Sequence, residues 1–289
     1  MASRCLRRSR RRPCKCWDSL VVSLTFDDGL DQHLDVVVPL LNQRNLRGTF
    51  YVHLTAPTVS RRWRDWEAVA ERGHELGNHT VFHPADERKA WVLSGNALDD
   101  YTADRMQREL ECANALLHAI DGRSERTFAY PCSNRTLGRR GWAKRLAFAA
   151  GFERSRVPSL IDRWKLDIGS TEYDYSSLVL KTCFAGRAGG VSMESPVPPL
   201  PQFSRTALLS AAVESHSFDA LRDFTLRALT SGSWAILQFH GVAGGHRMNC
   251  DRDVFDRYTD WLTTEHPHEV VTVIEGAKRI WSNSPHSTE

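Results

Sequence analysis

The chain has no run of about 18 consecutive apolar residues, the length a membrane-spanning helix requires, so no transmembrane segment is expected. It also lacks a disulfide framework. Its seven cysteines are an odd, scattered set, with Cys5, Cys14 and Cys16 near the start and Cys112, Cys132, Cys183 and Cys250 far apart. Cys14 and Cys16 flank a single Lys and no second pair follows, which argues against a structural zinc site built of paired cysteines. Residues 1–17 hold no acid but carry seven basic side chains. They lack the apolar stretch of a secretory signal, so they read as a disordered leader, with affinity for an anionic surface or RNA as the alternative. As written, the sequence is therefore expected in the cytoplasm. Neither an internal repeat nor an interdomain linker is visible.

What is present is an ordinary globular composition: 41% hydrophobic and 25% charged over 289 residues, enough for one large α/β domain or two small ones. The net charge of +3 comes from the leader. Without it, 31 basic residues face 35 acidic ones, a net of −4 that gives the body no case for nucleic-acid binding. We expect one domain over residues 18–282, between the leader 1–17 and a tail 283–289.

Apolar runs at 19–26, 47–54, 126–131, 233–242 and 269–276 read as strands, and 153–157 as a further short one. Residues 35–45, 63–73, 102–120, 138–152, 217–232 and 251–265 read as helices. Residues 185–203, rich in Gly, Pro and Ser, read as a long loop. Strands alternating with helices imply parallel βαβ units, closed into a (β/α) barrel or, as the alternative, spread as an open doubly wound sheet.

Four polar clusters stand at strand ends. Asp27 and Asp28 end the first strand side by side, where two like charges need compensation. His79 and His83 follow in "HTVFHP" at a spacing that, on one helical turn, turns both rings to one side. "FAYPCSN" makes a proline turn at 128–134, and His240 ends "WAILQFH". Two histidines and one aspartate suit a catalytic divalent metal with open positions. One acid would then hold the metal and the other act on a water.

"TFDDG", "HTVFHP", "FAYP" and "FHG", in that order over about residues 20–277, resemble the NodB-type polysaccharide deacetylases, the family-four carbohydrate esterases. The closest likeness is to a subgroup with FAYP as its third motif. The resemblance implies a distorted (β/α) barrel and a metal, usually zinc, with cobalt or nickel as alternatives, on Asp28, His79 and His83. It implies Asp27 as general base and His240 as general acid. It assigns the Tyr130–Pro131–Cys132 turn to the substrate, with the Cys132 N–H facing the oxyanion. The implied activity is removal of N-acetyl groups from an acetamido-sugar glycan such as chitin, peptidoglycan or exopolysaccharide. Two alternatives are an O-acetyl esterase on xylan-like glycans and a carbohydrate-binding protein without catalysis, although an intact Asp27 and ligand set argue against the last. A nucleophilic Cys132 is disfavoured, because the histidines serve a metal better. The family acts mostly outside the cytoplasm, which leaves the compartment open. The oligomeric state is not legible.

Three positions depart from the family pattern. Ala129 stands where an Arg often pairs the base, and Arg156 is a candidate to replace that charge. Gln238 stands where a Leu usually lines the acetyl pocket. An Asp that orients the catalytic His is expected, and Asp162, Asp167 and Asp174 qualify. Trp63, Trp66, Tyr130 and Trp164 are candidates to stack on sugar rings, with core packing as the plainer reading of Trp63 and Trp66.

Overall fold

The computed structural model describes residues 21–152, 154–265 and 270–281; the expected leader 1–17 and tail 283–289 lie outside them. Seven parallel strands form the central sheet: β1 (Val21–Asp27), β2 (Thr49–Val52), β3 (Glu75–Asn78), β4 (Phe128–Ala129), β7 (Gly186–Arg187), β8 (Ala211–Ala212) and β9 (Trp234–Phe239). Their order is β7-β4-β3-β2-β1-β9-β8. Four strands lie outside it: an antiparallel pair, β5 (Thr136–Leu137) with β6 (Tyr173–Asp174), and a parallel pair, β10 (Gly241–Val242) with β11 (Asn249–Cys250). β1 is buried at every position, as a central parallel strand covered on both faces must be, which is why it reads as a continuous apolar run. It pairs β2 through Thr25 opposite Thr49, and β9 through Leu24 opposite Leu237.

The two sheet edges meet. Leu208 N–H donates to the Gly186 carbonyl at 2.6 Å, and Ala188 N–H to the Leu208 carbonyl at 2.8 Å. β7 is thereby joined to the chain entering β8, and the sheet curls into a distorted (β/α) barrel rather than opening out. Residues 185–203, expected as loop, thus contain a sheet strand. Two residues between glycines are too short to show a period of two.

The helices are α1 (Val38–Gln43), α2 (Pro57–Glu71), α3 (Ala103–Asp121), α4 (Trp142–Ala149), α5 (Val157–Arg163), α6 (Ser176–Thr182), α7 (Phe218–Thr230), α8 (Arg252–Glu265) and α9 (Val273–Trp281). Pro39 follows a π-helical turn, His33–Val37, in which Val38 N–H reaches back five residues to the His33 carbonyl, so the widened turn precedes the residue that has no N–H to donate. Thr102 caps α3 by accepting from Arg105 N–H, and left-handed Gly122 ends it. Ser217 caps α7 in the same way through Ala220 N–H. Two expected strands are corrected. Val157 begins α5, with Pro158 in its first turn, so the stretch 153–157 is not a strand where it is described. In 269–276 only Val270 bridges to Val22, and α9 takes over from Val273. That run is apolar and short enough to fit either structure, so its pattern could not choose.

The core stacks Phe26 of β1 between Phe50 and Phe239, at ring-centre distances of 4.9 and 5.4 Å. Beneath it two buried polar knots tie elements together. Glu75 accepts from the Thr127 N–H and hydroxyl, from Thr49 and from Ile274 N–H, linking β2, β3 and α9. Arg126 pairs with Asp121 at 3.1 Å, both 1% exposed, and also donates to the Leu76 carbonyl. Asp121→Ala leaves that guanidinium buried without its counter-charge. We expect a loss of about 3–5 kcal/mol in urea unfolding. A loss below about 1 kcal/mol would show that the carbonyls alone satisfy Arg126.

Candidate active site

The C-terminal ends of β1, β3 and β9 converge on one cleft. β1 delivers the two acids. Asp27 is its last residue and is buried. Asp28 follows in a left-handed conformation, φ 78°, which aims its carboxylate differently from its neighbour's. Gly29 is also left-handed, φ 63°, and a Cβ there would lie 2.9 Å from Val52 Cγ1. The requirement for Gly in "DDG" is thus steric.

His79 and His83 follow β3 in an irregular loop, not on the helical turn that their spacing suggested. Thr80 and His83 take positive φ values of 70° and 51°. The loop is pinned by Asn78, which accepts from Thr80 N–H, and by Thr80, which accepts from His83 N–H. His79 and His83 nevertheless face each other, ring centres 4.7 Å apart. Their Nε2 atoms lie 3.5 and 3.3 Å from Asp28 Oδ1. His79 Nδ1 is 2.8 Å from the Ala129 carbonyl, so that nitrogen carries the proton and Nε2 presents its lone pair to the cluster.

This set fits a divalent metal. One ligand atom from each of Asp28, His79 and His83 lies within 4.8 Å of the others. Asp28 Oδ1 is buried without a hydrogen-bond partner, the state of an oxygen arranged for a cation. Burial alone would raise the Asp28 pKa, but the adjoining imidazoles of His79 and His83 outweigh it and hold the carboxyl well below its usual range. Burial lowers the His83 pKa to about 3, so its ring is neutral and its lone pair free at pH 7.

Asp27 is answered differently. Arg187 of β7 donates to both its carboxylate oxygens at 2.6 Å. Gln238 Nε2 donates to Asp27 Oδ2 at 2.9 Å. Ser210 accepts from Arg187 and donates to Gln238 Oε1, so the pair is braced on a second side. The Arg187 guanidinium lies 5.0 Å from the Tyr51 ring centre. Tyr51 can lie there because residue 77 is Gly: a Cβ at 77 would fall 2.4 Å from the Tyr51 ring. Burial alone would raise the Asp27 pKa; the Arg187 charge overrides it and keeps the carboxyl ionised.

His240 follows β9. Its Nε2 is 3.8 Å from Asp27 Oδ2, and its ring stacks on His246 at 4.8 Å. Its Nδ1 is buried without a partner among the described residues. Burial depresses its pKa and the two acids pull it back only in part. Its backbone carbonyl is held by His33 Nε2 at 2.7 Å, while His33 Nδ1 accepts from Leu30 N–H, which fixes His33 as neutral. Burial drops the His33 pKa to about 4.

Several expected residues stand elsewhere. Arg156 is exposed at the start of α5 and has no ion pair among the described residues; the cation beside Asp27 is Arg187. Asp167 caps α4 through Gly141 and Lys144 N–H, Asp162 pairs with Lys144, and Asp174 accepts from Ser176 N–H. None of the three orients His240. Tyr130 is buried with its hydroxyl on the Thr206 carbonyl, and Pro131 is buried too, so of that turn Cys132 is the member that lines the cleft. Burial pushes the Cys132 thiol up, away from a nucleophilic thiolate. Trp66 is core, while Trp63 and Trp164 line neither part of the cleft. The aromatics that do are Trp91 and Phe82, in a segment with no periodic signal. The cleft has two connected parts, about 530 and 410 Å³, sharing Asp28, His83, Trp91 and His246.

Residues 15–150 match the family model described as polysaccharide deacetylase. Over 111 residues the chain is 28% identical to peptidoglycan-N-acetylmuramic acid deacetylase PdaA of Bacillus subtilis (strain 168), covering 38% of this chain and 37% of that protein. It is 32% identical over 109 residues to a gellan lyase of a Bacillus species, 38% of this chain and 4% of that one. The solved structure of a Mycobacterium smegmatis protein assigned as a polysaccharide deacetylase superposes with a TM-score of 0.56 at 13% identity, covering 94% of each chain, and shares the fold. The chain thus spans little more than a third of the first curated relative and a small part of the second. The family model thus matches 136 of the 289 residues, just under half of the chain, and the fold is shared with the superposed structure.

The ligand set generates a direct expectation. The purified protein binds about one divalent ion per chain, zinc by preference. His79→Ala and His83→Ala each lose most of it by elemental analysis. Equal metal in both variants and the parent would dissolve the assignment.

Proposed function

We propose that the protein is a metal-dependent hydrolase that removes N-acetyl groups from an acetamido-sugar glycan, as a member of the FAYP subgroup. The observation that carries this reading is the pairing, in one cleft, of a three-residue ligand set with a differently held carboxylate and a histidine on its flank. The similarity to a deacetylase named for N-acetylmuramic acid supports an acetamido sugar as substrate.

Asp28, His79 and His83 hold the ion, which when bound supplies Lewis acidity for the acetyl carbonyl and lowers the pKa of a water. Asp27, kept ionised by Arg187, takes the proton of the attacking water. His240 protonates the leaving nitrogen. A neutral His240 cannot do so unaided, but its Nε2 lies 3.8 Å from the oxygen that has just received a proton. The proton passes from Asp27 to His240 and on to the amine. The Cys132 backbone N–H faces the oxyanion.

Acetate release from a panel of acetylated glycans, with and without chelator, tests the function. We expect release from N-acetylated glycans, abolished by chelator. We expect Asp27→Asn to keep its metal and lose on the order of 100-fold or more in turnover. Release confined to O-acetylated glycans would replace the amidase reading by an esterase. Glycan binding without any release would replace it by a lectin-like one.

The ion pair predicts a pH effect of known sign. Arg187 lowers the Asp27 pKa, so the base stays charged into acid and activity persists there. Arg187→Met raises that pKa and moves the acid limb of the kcat/KM profile to higher pH, by about one unit or more. Gln238→Leu, which leaves the ion pair in place, moves it the same way by less. An unmoved acid limb in both variants would show that Asp27 is not the group that titrates.

A further inference from the structure

Between β5 and β6, residues 138–172 leave the barrel as an excursion clasped at its base by the β5–β6 pair and by Thr171 N–H donating to the Arg139 carbonyl at 2.9 Å. It contains α4 and α5, and its apolar residues are arranged outward. Ala147 and Ile161 are its buried hydrophobics, small cover for two helices. Trp142 and Leu146 stand exposed one turn apart on α4. Leu160 and Trp164, again i and i+4, stand exposed on α5 and just beyond it. Phe152, Leu166 and Ile168 are exposed in the turns, Ile168 at 73%. Half of the large exposed hydrophobics among the described residues fall within these 27 positions, 142–168. A soluble surface carries such residues singly.

The charge of the same stretch is opposite to that of the body. Residues 138–168 hold eight basic and three acidic side chains. Taking them from the body's 31 and 35 leaves 23 basic and 32 acidic. Arg145, Arg154, Arg156, Arg163 and Lys165 are exposed and make no ion pair among the described residues. They are interleaved with the apolar groups, as in Arg163-Trp164-Lys165-Leu166. The acids are spent internally where described: Asp162 holds Lys144, and Asp167 caps α4.

We propose that this excursion is a membrane-docking surface, which lays its exposed tryptophans and aliphatics into the interface of an anionic lipid bilayer. Apolar side chains ringed by exposed cations match the two things such a surface offers together, an apolar depth of several ångströms and a continuous negative charge. A protein partner would need an apolar face shaped to these side chains and acidic around its rim, whereas an anionic bilayer offers both without a matching shape.

Sedimentation of the full-length protein with vesicles tests this. It pellets with phosphatidylcholine vesicles containing phosphatidylglycerol and not with phosphatidylcholine alone. Leu146→Ser/Trp164→Ser/Ile168→Ser weakens pelleting at least tenfold, as does Arg163→Glu/Lys165→Glu. Both leave the melting temperature unchanged, since every altered side chain is exposed. Arg10→Gln/Arg11→Gln/Arg12→Gln, in the basic leader, leaves most of the pelleting intact. The proposal is overturned if the protein does not pellet, or if only the leader variant loses pelleting. It is also overturned if light scattering shows a dimer that the triple variant dissociates, which would make a second copy the occupant.

Discussion

Two carboxylates on consecutive residues cannot share one environment, and the rest of the site follows from how each is answered. The left-handed turn at Asp28 sends it to the histidines, and the strand geometry of Asp27 sends it into the barrel. Asp27 receives a fixed organic cation, Arg187, with a second donor from Gln238. Asp28 receives two imidazoles and keeps an oxygen without a partner. One acid is therefore satisfied within the protein, while the other is left arranged for an ion. Identical side chains acquire different chemistry from the charge beside them.

The same interaction binds the site to barrel closure. Arg187 lies on β7, the edge strand, and reaches Asp27 on central β1 only because the sheet curls round until β7 meets the chain before β8. Ser210, which braces both Arg187 and Gln238, stands on that closing segment. A buried ion pair is a poor source of stability, since desolvation cancels much of the attraction. Its presence at the seam suits a different purpose: a carboxylate kept charged at low water content.

Much of this was legible in the sequence, for physical reasons. Continuous apolar runs marked β1 and β9, because central parallel strands are covered on both faces. Asp27, Asp28, His79, His83 and His240 stood out because polar groups at the ends of such runs are costly without a purpose. What the sequence hid was long-range or aperiodic. Arg187 sits in a two-residue strand between glycines, so it carried neither a pattern nor a motif; Arg156, nearer the third motif, was the wrong choice. The only hint was that buried Asp27 needed some cation. Gln238 looked like a lost pocket leucine and proves to be a donor to Asp27. His33, a few residues beyond the two acids, announced nothing, because its partner is a backbone carbonyl 207 positions away. The run at 269–276 has helix and strand readings of equal merit until α9 is seen packing its Ala277 and Val273 against Trp234.

The excursion is joined to the site through the rim of the cleft. The ligands hang from β1 and β3, deep in the barrel. The cleft rim that carries Trp91 hangs instead from the segment 84–100, and this segment is tied to the excursion. Gly138 N–H donates to the Leu98 carbonyl at 2.8 Å, Arg139 reaches Asp100 at 2.5 Å, and Arg140 reaches Asp86 at 3.6 Å. The excursion is thus tied to the rim segment, and the rim in turn meets the ligand set where Trp91 faces His83, ring centres 5.4 Å apart. Residues 138–140 make these ties, so three consecutive positions connect the excursion to the segment that borders the cleft.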